Sequence, residues 1–579
     1  MRPTAIYGRQ ADMMTKRILN KRGGWLYSMR LLAACTGAGL VVTANALAQA
    51  PNFGWAAQGH GNGGLNDMAT GVATDQAGNT YVSGDFCSSS ISFGGVVLAG
   101  ASPFQLDGPL FLVKYDNLGN VLWAQQSGPN DISSGAACAP AHDGGVFLAG
   151  GFGSNPASGG TTLTLGGTIL TNYGEANLFV ARFAANGDVL WARQAGGSNG
   201  LDGTSSGGAA TDANDNLYVS GILGSTDAIF GSYELSNSQT NGYDGFLAKY
   251  DNAGNVLWAH SIKGGYGILA TDASGYSYVT GGFTNVLDFG SGVLLTNSSG
   301  NGTSHGFLTK YDPSGNALWA REYIGTGSGY GSAIAAPSGG CFIGGSFSAT
   351  NLVLGAITLT NRGGNDAFVA KYDSDGNLLW AQGAGGSSDD TVYGIAADGA
   401  GNCYAVGWST STNFSAGGLT LTNSLHGAQQ AYSDEELFIL KYGADGTILW
   451  ARGVPMVDGG DLAGIAVDCW ANTHVAGTFE AINPGVVDFD GITLTNTNPR
   501  GSDVFVAQLE GTRLTIQPQG GQILISWPTN AAGLSLESTG DLGTAVWSPV
   551  TNRLVISGQN NTVMLGLPAA SQFFRLSGP

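Results

Sequence analysis

The chain has 579 residues, of which 96 are glycine and only 11% are charged, and its net charge is −19. A hydrophobic share of 43% supplies a large core and excludes a disordered chain. Many glycines and aromatics with few charges point to an all-β protein rich in turns. The acidic balance disfavours nucleic acid and anionic membranes as partners.

The first element in chain order reads as an export signal. Lys16, Arg17, Lys21, Arg22 and Arg30 precede an apolar run from Leu31 to Leu47 that ends in Ala46-Leu47-Ala48, a small-x-small cleavage pattern. Residues 1–48 are therefore expected to be a signal peptide, with the mature chain starting at Gln49. Met29 is an alternative start, because the segment before it is long for a basic leader. Leu32-Ala33-Ala34-Cys35 has the form of a lipoprotein box, but Arg30 leaves too little apolar chain ahead of Cys35. Removing residues 1–48 takes away seven basic side chains and one acidic one, leaving 15 against 40 and a net charge of −25. No later charge-free apolar run is long enough to span a bilayer. Cys87, Cys138, Cys341, Cys403 and Cys469 are scattered and odd in number, which fits neither a disulfide framework nor a zinc site.

From residue 52 onward the chain repeats itself. One phrase recurs as FLVKYDNLGNVLW at 111–123, FVARFAANGDVLW at 179–191 and FLAKYDNAGNVLW at 246–258. It returns from Phe307 to Trp319, Phe368 to Trp380 and Phe438 to Trp450. Each copy is two apolar strands joined by a tight Asp-x-x-Gly turn. A second hairpin phrase, such as GVATDQAGNTYVSGDF at 71–86, occurs seven times between these copies. Two hairpins per repeat give the four antiparallel strands of a propeller blade. The seventh outer strand, Asp503 to Leu509, lacks a following Trp strand. The missing piece lies at the other end of the chain, in Asn52-Phe53-Gly54-Trp55-Ala56-Ala57. The expected fold is a seven-bladed β-propeller of four-stranded blades over residues 49–511, closed by an N-terminal strand. The steps from Trp55 to Trp450 average roughly 66 residues, above the forty-odd of simple propeller repeats. An extra short hairpin accounts for the excess, as in LTLGGTILTN at 163–172 and LVLGAITLTN at 352–361. Residues 512–579 contain short alternating strands and are expected to form a small β-sandwich-like module.

The Asp-x-x-Gly-Asn-x-Tyr-Val-x-Gly pattern of Asp75 to Gly84 and Asp212 to Gly221 resembles the bacterial β-propeller repeat family called SBBP, over about residues 52–510. The resemblance implies a secreted or surface-associated propeller of a bacterium, at the cell surface or in the periplasm, and no single reaction. The phrase LAKYDNAGNVLWA is also similar to the repeats of quinoprotein-like propellers. The C-terminal segment resembles the fibronectin- or immunoglobulin-like modules appended to secreted bacterial proteins.

The Asp of each tight turn is read as capping its own turn, because calcium needs six to eight converging oxygens. The loops between blades carry Asp67, Asp131, Asp202, Asp389 with Asp390, and Asp458 with Asp461. Asp67, Asp131, Asp202, Asp389, Asp390 and Asp461 are the candidate metal ligands, with calcium as the candidate cofactor. Solvated loop aspartates are the alternative reading. These loops and the extra hairpins are expected to share one face with the mouth of the channel. Gly203-Thr204-Ser205-Ser206-Gly207 matches a nucleophile elbow in form but lacks the strand-turn-helix setting. The six histidines, among them His142 and His426, sit at unrelated repeat positions. Trp55, Trp123, Trp191, Trp258, Trp319, Trp380 and Trp450 recur in strict register and are expected to pack one blade on the next. Trp408 and Trp470 are off-register and are candidates for ligand contact.

Three functional classes follow. The first is a non-catalytic binding scaffold for an extracellular protein, glycan or polymer. The second is an enzyme with a central-channel site, such as a quinoprotein-like oxidoreductase or a polysaccharide lyase. The third is a structural envelope or matrix component. No catalytic constellation rises above the repeat, and quinones and anionic sugars both call for cationic partners that this chain is short of.

Overall fold

The structure, a computed structural model, describes residues 50–577 except 64–65, 101–107, 132, 154–161, 173, 175, 198–206, 240–241, 298–302, 328–330, 338, 424–433, 458–459, 481–484, 498–500, 512–513, 529–534, 541–546, 558–559 and 567–571. Residues 1–48, where a signal peptide is expected, with Cys35, and Asp202, Asp458, His426 and most of the elbow-like loop lie outside the described residues. The chain divides into two compact units, one spanning Asn52–Glu510 and the other containing Gly511–Pro579. Every regular element among the described residues is a β-strand.

The two phrases of the sequence become the two hairpins of a four-stranded antiparallel sheet. In the first sheet Asp67–Thr74, Thr80–Phe86, Leu110–Tyr115 and Val121–Gln126 lie side by side in that order. The order recurs in sheets two to six, whose fourth strands are Val189–Ala195, Val256–Ile262, Ala317–Gly327, Leu378–Gly385 and Ile448–Val457. The seventh sheet takes Leu462–Val467, Thr473–Glu480 and Ser502–Leu509 from the end of the array and its fourth strand, Phe53–Asn62, from the start. Pairing runs antiparallel from Phe53↔Leu509 to Gly59↔Val504.

The tight turns are held by their own aspartates. Asp116 accepts the N–H groups of Leu118 and Asn120 at 2.9 Å, while Gly119 takes φ +83°. Asp251, Asp312 and Asp373 do the same in later sheets. In the other hairpin the role falls to Asp75, Asp212, Asp398 and Asp468. The third-strand cation then meets that second carboxylate: Lys114 lies 3.3 Å from Asp75, and Lys249 lies 3.5 Å from Asp212.

Each turn also receives the Trp of the preceding sheet. Trp123 Nε1 donates to Ala185 O at 2.9 Å, and Trp191 to Asn252 O at 3.0 Å. Trp258, Trp319 and Trp380 donate to Pro313, Ser374 and Ala444 O at 3.1 Å. The indole lies flat on the turn glycine. A Cβ at Gly254 would stand 2.9 Å from Trp191, and one at Gly119 would stand 2.7 Å from Trp55. Glycine is therefore required twice there, for its positive φ and for the close approach of the ring. Trp55 makes this contact from the chain's first strand.

The extra hairpins form as expected, for example Thr162–Leu165 with Thr168–Thr171. Their bonding partner, which the sequence did not indicate, is the end of a neighbouring sheet's fourth strand, where the chain runs on into the inter-sheet loop. Five of them pair or bridge to the fourth strand of the preceding sheet or to the residue just past it. Ser90–Phe93 pairs with Phe53–Asn62, and Asn413–Ala416 pairs with Leu378–Gly385. Single bridges join Gly196 to Ile229 and Lys263 to Asp288. The reason is the row of unpaired N–H and C=O groups that an edge strand presents. Within their own sheet the hairpins are anchored by rings, Phe93 on Phe111 at 5.0 Å and Phe414 on Phe438 at 4.4 Å. Each aromatic pair contributes about 0.5–1.5 kcal/mol beyond its buried area. One hairpin thus fastens two sheets.

In the second compact unit, strands Thr515–Gln519, Gln522–Pro528, Asn560–Gly566 and Leu554–Ser557 form one sheet. Ser548–Pro549, Ser535–Thr539 and Phe573–Ser577 form another, and Ile525, Trp527, Leu536, Val563 and Leu565 are buried together.

The Trp-on-glycine contact can be isolated with two alanines. Gly254 and Gly290 have φ of +83° and +79°, but a Cβ at Gly290 would meet nothing within 4 Å. Gly290→Ala is expected to cost about 1 kcal/mol of backbone strain. Gly254→Ala is expected to cost about 1–3 kcal/mol more, from overpacking against Trp191. Thermal denaturation of the two variants measures the difference, and equal losses would remove the contact from the account.

Candidate functional site

The first strand of five sheets carries a β-bulge at the same place, with extra residues Thr70, Gly135, Ser332, Tyr393 and Ala463. Four of the five are small. Tyr393 is the exception, and the bulge turns it outward until it is 49% exposed. It opens onto a cleft of about 300 Å³ lined by Met68, Tyr393, Trp408, Glu435, Asp461 and Glu480, among others.

Three consecutive sheets build this cleft. Trp408 stands near the end of Cys403–Ser409, opposite Thr391 and Leu437, and is only 8% exposed. Glu435 opens the neighbouring strand Asp434–Tyr442. From the seventh sheet come Asp461 and Glu480. Asp461 is held by its backbone, its N–H donating to Thr478 Oγ1 at 2.8 Å and its C=O accepting Thr478 N–H at 2.7 Å. Glu480 closes strand Thr473–Glu480 opposite Ser502. From the first sheet comes Met68. The hydroxyls at the cleft are engaged internally, since Ser502 Oγ donates to Asp67 O at 3.1 Å. Among the described residues, no histidine, lysine, arginine or cysteine lines the cleft. The arrangement offers an aromatic surface, an apolar patch and three carboxylates, a set suited to holding a ligand.

The aspartates singled out in the sequence are not brought together. Asp67 Oδ1 accepts Cys87 and Ser88 N–H at 3.0 Å. Asp131 Oδ2 accepts Gly128 N–H at 2.7 Å and Thr164 N–H at 2.6 Å. Asp390 accepts Gly386 N–H at 2.8 Å and the hydroxyls of Ser409 and Ser411 at 2.5 and 2.9 Å. These three fasten loops. Asp389 accepts Asn365 N–H at 2.8 Å and is exposed. Of the six, Asp461 alone lines the cleft, and Asp202 lies outside the described residues. Among the described residues no group of three or more His, Cys, Asp or Glu side chains is placed to hold a metal ion. Trp408 lines the cleft, whereas Trp470 packs on Gly78 in a turn. Cys138, Cys341 and Cys403 are buried thiols outside any disulfide. Tyr393, Glu435 and Glu480 were not singled out in the sequence. Tyr393 is visible there as the one large residue at a repeat position otherwise held by small ones.

Residues 379–415, a fourth strand together with the next sheet's first two strands and part of its hairpin, match the family model of a beta-propeller repeat, SBBP. The chain is built on a β-propeller repeat. Over 400 residues it is 25% identical to an uncharacterized WD repeat-containing protein of Acanthamoeba polyphaga mimivirus, a match covering 57% of this chain and 28% of that protein. Over 357 residues it is 27% identical to the regulatory protein FlaEY of Caulobacter vibrioides, covering 58% and 36%. The chain therefore spans about a third of the length of these curated relatives. Among solved structures, the phage phi92 endosialidase aligns over 86% of this chain and 75% of its own at 9% identity and a TM-score of 0.34. Sqt1 from Chaetomium thermophilum aligns over 81% and 97% at 10% identity and a TM-score of 0.34. Among the described residues no helix is long and apolar enough to cross a membrane.

The loop-fastening carboxylates predict an acid-favoured fold. Burial pushes Asp67 up from 3.8 to about 7, against the hydrogen bonds from Ser88 and Cys87. Burial likewise raises Asp390 to about 6 and Glu436 to about 6. A raised folded-state value gives stability that is present below the unfolded value near 4 and lost as pH rises through 6–7. For Asp67 the full shift corresponds to about 4 kcal/mol, or about 4 °C in a unit of this size. The melting temperature is expected to be higher at pH 5 than at pH 8, and Asp67→Asn to flatten the slope. A melting temperature that rises from pH 5 to pH 8 would contradict this.

Proposed function

We propose that the protein is an exported seven-bladed β-propeller, closed by its N-terminal strand, that acts as a non-catalytic binding scaffold at or outside the bacterial cell surface. The C-terminal segment from residue 512 serves as a fibronectin- or immunoglobulin-like β module. The observation that carries the binding reading is the cleft itself. Strand ends and loops of three consecutive sheets supply an aromatic and acidic lining, while Thr478 and Ser502 hydroxyls are committed to internal hydrogen bonds. Rigid repeats with variable loops are a common support for recognition. The seven four-stranded orders, the pairing of Phe53–Asn62 with Ser502–Leu509, and the contact of Thr80 Oγ1 with His474 Nδ1 at 2.8 Å support closure of the ring.

Screening the purified mature chain against extracellular proteins and polysaccharides tests the reading. A ligand of this cleft is expected to lose roughly thirtyfold in affinity in Trp408→Ala or Tyr393→Ala, the scale of an aromatic anchor. Ligands that bind both variants as tightly as the wild type would move the site elsewhere. Export is tested by N-terminal sequencing of the secreted protein, expected to begin at Gln49. A lipid-modified Cys35 would reverse that assignment.

A further inference from the structure

We infer that the seam between the first strand and the seventh sheet is a proton-operated latch, held shut while His60 and His474 are protonated and loosened when they lose their protons, an inference that rests on the closure of the ring proposed above.

The seam departs from the repeat at a place where other sheets agree. In three of them a second-strand tyrosine and a third-strand lysine meet the aspartate of the tight turn. Tyr81, Tyr218 and Tyr404 donate to Asp75, Asp212 and Asp398 at 3.2, 3.2 and 3.0 Å. Lys114, Lys249 and Lys441 lie 3.3, 3.5 and 3.6 Å from the same carboxylates. In the seventh sheet His474 stands in the tyrosine position and Gln508 in the lysine position, opposite each other across the two strands. Asp468 still caps its turn, but the lysine position beside it holds no charge. His474 Nε2 lies 3.4 Å from Asp468 Oδ2, with both side chains wholly buried. His474 Nδ1 contacts Thr80 Oγ1 of the first sheet at 2.8 Å, and the ring meets Trp55 of the first strand edge-on at 6.1 Å. A buried carboxylate left without a cation is costly. The protonated imidazole takes the lysine's part, and it donates to both sheets at once.

The far end of the first strand is held in the same manner. Asp503, whose side chain is wholly buried, meets Gly61 N–H at 2.9 Å, Gln58 Nε2 at 2.5 Å and His60 Nδ1 at 2.8 Å, all from the first strand. Of these three groups only His60 can carry charge. Asp67 of the first sheet crowds the same place, since a Cβ on Gly61 would stand 1.8 Å from Asp67 Oδ2. Burial, with a smaller part from the charge of Asp503, pushes Asp67 up to about 7. Above that pH a second carboxylate faces the strand.

The other charged groups around the seam do not replace the histidines. Glu480 stands opposite Ser502, one residue from Asp503 and so on the other face of that strand. Cys469 lies within reach of Asp468 and Asp75, and Lys114 is engaged by Asp75 and Gly144 O. Glu510 stands against Gly54 beside Gln508. At the start of the strand Phe53 N–H donates to Asp490 at 2.9 Å, and Asp490 pairs with Arg452. The direction follows from these neighbours. Histidine changes charge between pH 5 and 8. In acid the seam holds two imidazolium–carboxylate pairs and a neutral Asp67. In mild alkali it holds two neutral imidazoles, with Asp67 and Asp503 both ionised around Gly61. Stability that needs bound protons is present at low pH and lost as pH rises, so the three groups act together, and the first strand is freed on the alkaline side.

Hydrogen exchange of the full mature chain at pH 5 and pH 8, with labelling times scaled to the intrinsic rates, compares peptides covering 53–62 with a reference peptide covering 246–258 in the third sheet. Protection of 53–62 relative to the reference is expected to fall roughly tenfold or more from pH 5 to pH 8. His474→Tyr with Gln508→Lys, which restores the repeat, and His60→Gln are each expected to shrink that fall. Exchange of the histidine C2 protons in the wild type reports the titration of His60 and His474 without any substitution, and strand opening is expected to follow it. Equal protection of 53–62 at the two pH values overturns the latch and leaves the ring closed. A fall that both variants leave intact, or one at a pH where neither histidine titrates, overturns the latch as well. Rapid exchange of 53–62 at both pH values overturns the closure itself, and the latch with it.

Discussion

The architecture depends on the seating of one tryptophan against one glycine turn in the next sheet. A four-stranded sheet of this length cannot bury both faces by itself, so its stability comes from its neighbours. The indole covers the turn, its N–H satisfies a turn carbonyl at 2.9–3.1 Å, and the glycine beneath admits the ring. In three of these turns a capping aspartate, Asp251, Asp312 or Asp373, fixes the carbonyl the indole needs. Loss of either residue therefore disturbs two sheets. The ring contact alone, without the indole hydrogen bond, recurs between Trp55 and Gly119 and links the first strand of the chain to the first complete sheet.

The hairpins act in the same direction from the rim. Hydrogen bonding to the preceding sheet and ring packing within their own sheet distribute such a hairpin over two neighbours. They also occupy an edge that would otherwise be open to other chains. With both faces and rim engaged, the variable chemistry is left to loop ends and bulges. That is where Tyr393, Asp461 and Glu480 are found.

Much of this was legible in the sequence because it repeats. The Phe-to-Trp phrase fixes strand pairs, the Asp-x-x-Gly spacing fixes turns, and the unpaired strand at 503–509 points to the spare strand at 53–57. What the repeat could not supply was the partner of each inserted hairpin, since LTLGGTILTN carries no mark of the strand it will meet. The loop aspartates were equally ambiguous. Asp67 and Asp390 have the composition of ligands, yet burial beside backbone N–H and hydroxyl donors makes them fasteners. Departures from the repeat were the better guide to the cleft, as the off-register Trp408 and the bulky Tyr393 both line it.

The account turns on whether residues 53–62 are an integral strand of the seventh sheet. Hydrogen exchange of the native protein, read by mass spectrometry on peptides covering 53–62 and 502–509, addresses this directly. The account predicts similar protection in both segments and joint loss of protection in Trp55→Ala, since pairing and packing are shared. Rapid exchange of 53–62 beside a protected 502–509 would contradict it.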